Sequence, residues 1–182
     1  YDGLKAAARE IGGVQIQASG TIGGNLCTAS PAGDSIPCLM TLNAAIELAS
    51  RRGARRLPLN EFLTGPRQTA CAPDELVTAV YVPSDAEMGV SGFEKLGARR
   101  YLVISIAMTA ARLSIADGRI GDAAISVGAC APVAVRLTEL EAGLREMACD
   151  MAGDFIRDSR SGIMAALSPI DDVRGTAGYR RD

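Results

Sequence analysis

The sequence predicts a mixed helix-and-strand chain in two parts, and three observations carry that prediction. Leu4, Ala7, Ala8 and Ile11 fall on one face of a helix near the start. Strand patterns follow: Ala45 to Ser50 and Arg55 to Leu59 are joined across a short turn, and the β-branched run Leu76 to Val82 is stopped by Pro83. A polar connection, Ser84 to Ser91, then separates these from a region with a different pattern, which places a domain boundary between residues 1–83 and 91–182.

In chain order, Asp2 is positioned to cap the first helix, and Gly12-Gly13 ends it. Gln15 to Gln17 reads as extended, ahead of a glycine-rich stretch. Asp34 or Ser35 opens a second helix in which Pro37 is tolerated in the first turn and Ile36, Leu39 and Met40 face inward. Asn60 to Leu63 reads as a helical turn, and Gly65-Pro66 breaks the chain. Gly92 to Leu96 reads as extended and Gly97 to Arg100 as a basic loop. Two apolar segments, Tyr101 to Ile115 and Arg119 to Gly128, flank Asp117-Gly118 and predict a β-hairpin; a helix over Ala107 to Leu113 is the alternative. Val135, Leu137, Leu140 and Leu144 have helical spacing, Met151, Phe155 and Ile156 suggest another helix, and Tyr179 to Asp182 reads as the opening turn of one more.

Composition narrows the chemistry. With 182 residues, 48% of them hydrophobic, the chain is long enough to bury a core. A net charge of -2 gives no electrostatic reason to expect nucleic acid, and Arg51, Arg52, Arg55 and Arg56 read as a solvated hairpin tip. No apolar run of about 18 residues is present, so no membrane span is expected. The five cysteines, Cys27, Cys38, Cys71, Cys130 and Cys149, contain no C-x-x-C pair, which argues against a disulfide framework or a self-contained metal site and favours a reducing, cytoplasmic compartment. Histidine is absent, which removes the commonest general base and metal ligand; a bound cofactor is then expected to carry any chemistry.

The stretch Ala18 to Asp34 concentrates turn chemistry. Gly20, Gly23, Gly24 and Gly33 permit close approach to the backbone, while Thr21, Asn25, Thr28 and Ser30 supply short polar side chains. Such a set suits an anion or a cofactor diphosphate at a helix N-terminus, with Asp34 as a helix cap or an acceptor for a ligand hydroxyl. It equally suits a tight connection whose glycines only permit packing. Neither a dinucleotide fingerprint nor a nucleotide-triphosphate loop is present.

Gln15-Ile16, Gly20-Thr21-Ile22-Gly23-Gly24-Asn25 and Ser30-Pro31-Ala32-Gly33-Asp34 resemble the second flavin-binding motif of the FAD-binding subunit of molybdenum hydroxylases. That family includes the medium subunit of aerobic carbon monoxide dehydrogenase and the flavin domain of xanthine dehydrogenase. Pro73-Asp74-Glu75-Leu76, Phe93-Glu94-Lys95-Leu96-Gly97 and Pro169-Ile170-Asp171-Asp172-Val173-Arg174-Gly175 follow in the family's order and approximate spacing. The resemblance implies an α+β fold: residues 1–83 as the second half of a vanillyl-alcohol-oxidase-like FAD-binding domain, and residues 91–182 as a C-terminal antiparallel sheet packed on helices. It also implies that a separate preceding segment, with another glycine-rich loop, holds much of the adenine and diphosphate end of FAD.

Cofactor contacts carried over by the resemblance are Ile16, Thr21, Gly23, Gly24, Asn25, Cys27, Thr28, Gly33, Asp34, Leu76 and Val77, with Lys95 in the loop after the next strand. No catalytic side chain and no metal ligand is implied. The implied activity is electron transfer through FAD, from an iron-sulfur partner reduced by a molybdenum-cofactor subunit to NAD, a quinone or oxygen. Two other classes remain: a non-catalytic assembly module that keeps the fold without retaining FAD, and an unrelated phosphate-ligand protein. Asp171-Asp172 is expected to serve capping or domain packing, since adjacent side chains usually point apart.

Overall fold

The computed structural model describes residues 1–182. Helices α1 (Asp2–Glu10), α2 (Val14–Ser19), α3 (Ile22–Thr28) and α4 (Ser35–Thr41) precede strands β1 (Ala45–Ser50) and β2 (Gly53–Pro58). The one-turn α5 (Leu59–Phe62) and the short β3 (Leu63–Gly65) and β4 (Gln68–Thr69) lead to β5 (Leu76–Tyr81). Strands β6 (Val90–Leu96), β7 (Ala107–Ala116), β8 (Arg119–Gly128) and β9 (Val135–Arg136) come next, followed by helices α6 (Thr138–Leu144), α7 (Ala152–Asp158) and α8 (Arg160–Ala166).

All sheets are antiparallel. One has the order β2-β1-β5, a second pairs β3 with β4, and a third has the order β6-β7-β8-β9. The β7–β8 hairpin turns at Asp117-Gly118, both at positive φ, as a tight two-residue turn between right-twisted strands requires. Alternation across the paired strands, which puts Met108, Ala110 and Arg112 inward, outweighs the helical propensity of alanine and methionine, so the helix alternative over Ala107 to Leu113 does not form.

The larger core joins Leu26 of α3, Ile36, Leu39 and Met40 of α4, Ile46 and Leu48 of β1, and Leu59 and Phe62 of α5. A second core packs Ile120 and Ile125 of β8 against Leu140 and Leu144 of α6. Every residue of α4 is buried, because it lies between these layers: Cys38 meets Ala7 of α1 and Ala110 of β7. Gly128 permits that approach, since a Cβ there would come 2.9 Å from Pro37 Cγ and 2.4 Å from Met108 Cε. No helix is long and apolar enough to cross a membrane.

Several local expectations change. Gln15 to Gln17 is helical, within α2, because the Gln17 amide reaches the Gly13 carbonyl at 3.0 Å and Ser19 Oγ reaches the Gln15 carbonyl at 2.8 Å. Three residues of alternation cannot distinguish the two states. Tyr1, not Asp2, occupies the N-cap of α1. Lys95 lies inside β6, paired with Met108, and not in the loop after it. Val135 joins β9 ahead of α6, and the last residues form turns without a helix. Asp171 accepts from the Ala177 amide at 2.6 Å, while Asp172 binds Arg174 and Arg180.

Candidate functional site

The glycine-rich stretch folds as the opening of α3. Thr21 is its N-cap in extended conformation; its Oγ1 accepts from the Gly24 amide at 2.9 Å, and its carbonyl accepts from the Asn25 amide at 3.0 Å. A helix leaves its first amides without intrahelical acceptors, so Ile22 and Gly23 are the donors left over. Thr28 Oγ1 donates to the Gly24 carbonyl at 2.8 Å, and Ala29 ends the helix in the left-handed region. Short side chains thus fold a glycine-rich segment into a compact, polar-faced turn of helix.

This turn borders a cleft of about 670 Å³ between α1, α2 and α3. Ile16, Thr21, Gly24, Asn25 and Thr28, all expected at the site, meet on its wall. Arg9 supplies its one charged side chain and was missed from the sequence. The α1 stripe shows that Arg9 follows Ala8, but only the tertiary arrangement puts Arg9 on the same cleft as the threonines. Asn25 Oδ1 accepts from Ser35 Oγ at 2.6 Å, which leaves the Asn25 NH2 group as a donor. Asn25 also borders a smaller hollow of about 390 Å³ shared with Asp34, Leu102 and Ile104. Leu102 and Ile104 are exposed apolar residues that sequence reasoning also passed over.

The other expected residues sit around this wall in different roles. A Cβ on Gly23 would meet nothing nearer than Val77 Cγ1 at 3.9 Å, so the chain's own packing does not demand glycine there. Glycine nonetheless costs about 1 kcal/mol relative to alanine inside a helix. Space at Gly23 is therefore open to something outside this chain. Val77 packs partly against the larger core, Leu76 is 73% exposed beside it, and Cys27 is exposed on α3. Gly33 lies inside its turn, where a Cβ would come 2.9 Å from Ile36 Cδ1 and 3.2 Å from the Ser30 carbonyl.

Asp34 and Lys95 are brought together, but with each other. Asp34 Oδ2 pairs with Lys95 Nζ at 2.7 Å, Asp34 Oδ1 accepts from Ser105 Oγ at 2.5 Å, and Lys95 Nζ also reaches the Glu10 carbonyl at 3.2 Å. Both side chains are buried, and Asp34 makes no side-chain cap to α4. The pair braces the site from behind. Cys38 lies nearby in α4, where burial, aided by the Asp34 carboxylate, pushes its thiol up to about 12.

Chemically, the cleft combines hydroxyl and amide donors, one cation and an apolar rim that includes exposed Ile16 and Ile22. Such a wall suits an extended anionic ligand with a flat apolar part.

Residues 1–85 match the family described as the FAD binding domain in molybdopterin dehydrogenase, and residues 93–182 match the CO dehydrogenase flavoprotein C-terminal domain. The chain is 33% identical over 178 residues to the nicotine 6-hydroxylase medium subunit of Paenarthrobacter nicotinovorans, covering 97% of this chain and 61% of that protein. It is 31% identical over 176 residues to the glyceraldehyde dehydrogenase medium chain of Sulfolobus acidocaldarius, with 97% and 61% covered. Among solved structures, carbon monoxide dehydrogenase from Hydrogenophaga pseudoflava superimposes with a TM-score of 0.90 at 26% identity, over 99% of this chain and 62% of that one. The reconstituted CO dehydrogenase from Oligotropha carboxidovorans gives 0.83 at 31% identity, over 95% and 59%. The chain thus spans about three fifths of the length of these relatives. With both matched regions in the family's order and its fold reproduced throughout, the chain belongs to the FAD-binding, medium-subunit family of the molybdenum hydroxylases.

Proposed function

We propose that this chain forms one wall of an FAD site in the electron-transfer subunit of a molybdenum hydroxylase. The observation that carries the reading is the convergence of Thr21, Asn25, Thr28 and Arg9 on one cleft at the start of α3. Thr21 and the Asn25 amide donate hydrogen bonds to the cofactor's polar chain, Thr28 Oγ1, whose proton goes to the Gly24 carbonyl, offers a lone pair beside them, and Arg9 balances the diphosphate charge. Gly23 and Gly24 let it approach the backbone closely, with Cys27 on the adjacent turn. Ile16, Leu76 and Val77 offer apolar surface to its flat ring. Gly33, Asp34 and Lys95 hold the wall in place from the inner side.

Bound FAD supplies reversible uptake of two electrons, accepted and released one or two at a time. The chain's own residues bind it, orient it and set the charge around it; with no histidine, amide donors and Arg or Lys do that tuning. Residues 1–83 serve as the second part of the FAD-binding domain, and residues 91–182 as the C-terminal domain. The partners are an iron-sulfur subunit and a molybdenum-cofactor subunit, the acceptor is NAD, a quinone or oxygen, and the assembly works in the cytoplasm.

The test is FAD titration followed by desalting, read by visible absorbance and flavin fluorescence. It is run with the chain alone and with the N-terminal segment of the Hydrogenophaga medium subunit added in trans. Stoichiometric retention in either arm, weakened about tenfold or more by Asn25→Ala, is expected from loss of a hydrogen bond to a charged group. Retention in neither arm favours an assembly module instead. That second reading is supported by the exposed Ile16 and Ile22 on the rim of the cleft, apolar surface suited to a partner protein.

A further inference from the structure

The turn that ends the cleft wall, Ser30 to Asp34, is held from the far end of the chain by a closed circuit of hydrogen bonds. The Ala129 amide donates to the Pro31 carbonyl at 2.9 Å, and Arg180 Nη1 donates to the Ala129 carbonyl at 3.0 Å. Arg180 Nη2 donates to Asp172 Oδ1 at 2.6 Å, while Arg174 Nη2 and Nε donate to Asp172 Oδ2 at 2.5 and 3.1 Å. Arg174 Nη1 then reaches the Ser105 carbonyl at 3.3 Å, and Ser105 Oγ donates to Asp34 Oδ1 at 2.5 Å. The circuit leaves the turn at Pro31 and returns to it at Asp34.

Its members are poorly placed for a surface ornament. Ser105 is fully buried, and the Arg180 side chain is 1% exposed with its Nε the one buried side-chain nitrogen lacking an acceptor. Burying a guanidinium costs more than a generic contact returns, so its value lies in the geometry it imposes. Asp172 is the node where the two guanidiniums meet, and their hydrogen bonds hold its carboxyl well below the usual carboxylate range. The turn in turn sets Ser35, whose hydroxyl fixes the Asn25 amide at the cleft.

We propose that Asp172 is a positioning residue for the cleft wall, acting through Arg174 and Ser105 on Asp34, and through Arg180 and Ala129 on Pro31, so that the Asn25 amide is presented to the cofactor. The identity of that ligand rests on the flavin reading above; the coupling from Asp172 to Asn25 does not. Residues from both matched regions take part, which makes the C-terminal segment a working part of the cofactor wall.

The experiment uses the full chain and two variants. Asp172→Asn keeps the side chain's shape but removes the charge that gathers the guanidiniums; Ser105→Ala removes one link and retains a buried small residue, and so stands in if Asp172→Asn does not fold. The first readout is the side-chain NH2 cross-peak pair of Asn25 in a nitrogen-15 spectrum without cofactor, together with amide exchange at residues 32–36. Both variants are expected to shift the Asn25 pair and to speed exchange in that turn by about tenfold or more, as loss of a charge-assisted bond implies, with β7 and β8 amides unchanged. Unmoved Asn25 peaks, or faster exchange spread evenly over β7 and β8, would overturn the coupling. The second readout is FAD affinity, expected to fall in both variants. Variants that shift Asn25 while the wild-type chain takes up no FAD in any arm would uphold the coupling and remove the flavin reading.

Discussion

Lys95 Nζ lies 2.7 Å from Asp34 Oδ2, with side chains only 6% and 7% exposed, so a strand of the second region is pinned to the residue that opens α4. Removing one member leaves the other charged, buried and short of partners. Lys95→Met is therefore expected to cost about 3–5 kcal/mol, read as a lowered urea midpoint. The double variant Lys95→Met with Asp34→Leu is expected to lose less than the sum of the single losses, since neither charge is stranded. Strict additivity would sink the idea of a coupled pair.

Glu75 gives a pH dependence. Arg55 hydrogen-bonds its carboxylate at 2.7 and 2.8 Å, the Ala72 amide adds a third bond at 2.8 Å, and together they bring its value from 4.5 down to about 2. The folded value is the lower one, so this stabilisation is complete above 4.5 and is lost as the pH falls toward 2. The gap in urea midpoint between wild type and Glu75→Gln is expected to be largest at neutral pH and to close across that window. A gap that stays constant down to about pH 2 would separate Glu75 from the acid sensitivity.

The thiols should sort by burial. Iodoacetamide at mildly alkaline pH is expected to modify exposed Cys27 and Cys149 in the folded chain and to spare Cys38 and Cys130, which burial keeps protonated and out of reach. In urea all five should react, as peptide mass mapping would report. Saturating FAD should slow labelling of Cys27 and leave Cys149 alone; equal rates at Cys27 with and without FAD would move the cofactor away from α3.

Gly20 and Gly23 make opposite predictions. A Cβ at Gly20 would stand 2.8 Å from the Ile16 carbonyl, so Gly20→Ala must displace backbone and is expected to cost about 1–3 kcal/mol. Gly23→Ala meets open space and is expected to gain up to about 1 kcal/mol of stability without cofactor. The same Gly23→Ala should weaken FAD binding, because it fills the space the ligand would use. Thermal melts and FAD titrations of both variants separate the two glycines. A Gly23→Ala chain with undiminished FAD affinity would argue against close approach there.

Features that depend on near neighbours are legible along the chain. The apolar spacing of Leu4, Ala7 and Ile11, the Asp117-Gly118 turn and the stop at Pro83 all act within a few residues, and so can be read along the chain, whereas α3 and its Thr21 cap fall inside a stretch that reads as a glycine-rich loop. The ordered motifs from Thr21 to Arg174 identified the family for the same reason, being local signatures met in order. Tertiary structure decided what those residues face. Three residues around Ile16 carry too little periodicity to choose helix over strand. Nothing near Asp34 reveals that its partners, Lys95 and Ser105, come from beyond the polar connection, nor does α1 reveal that Arg9 borders the same cleft as Thr21 and Asn25. Those relationships depend on how α1, α4 and β6 stack, and stacking is fixed by the burial of apolar faces over the whole chain, which no short window of sequence contains.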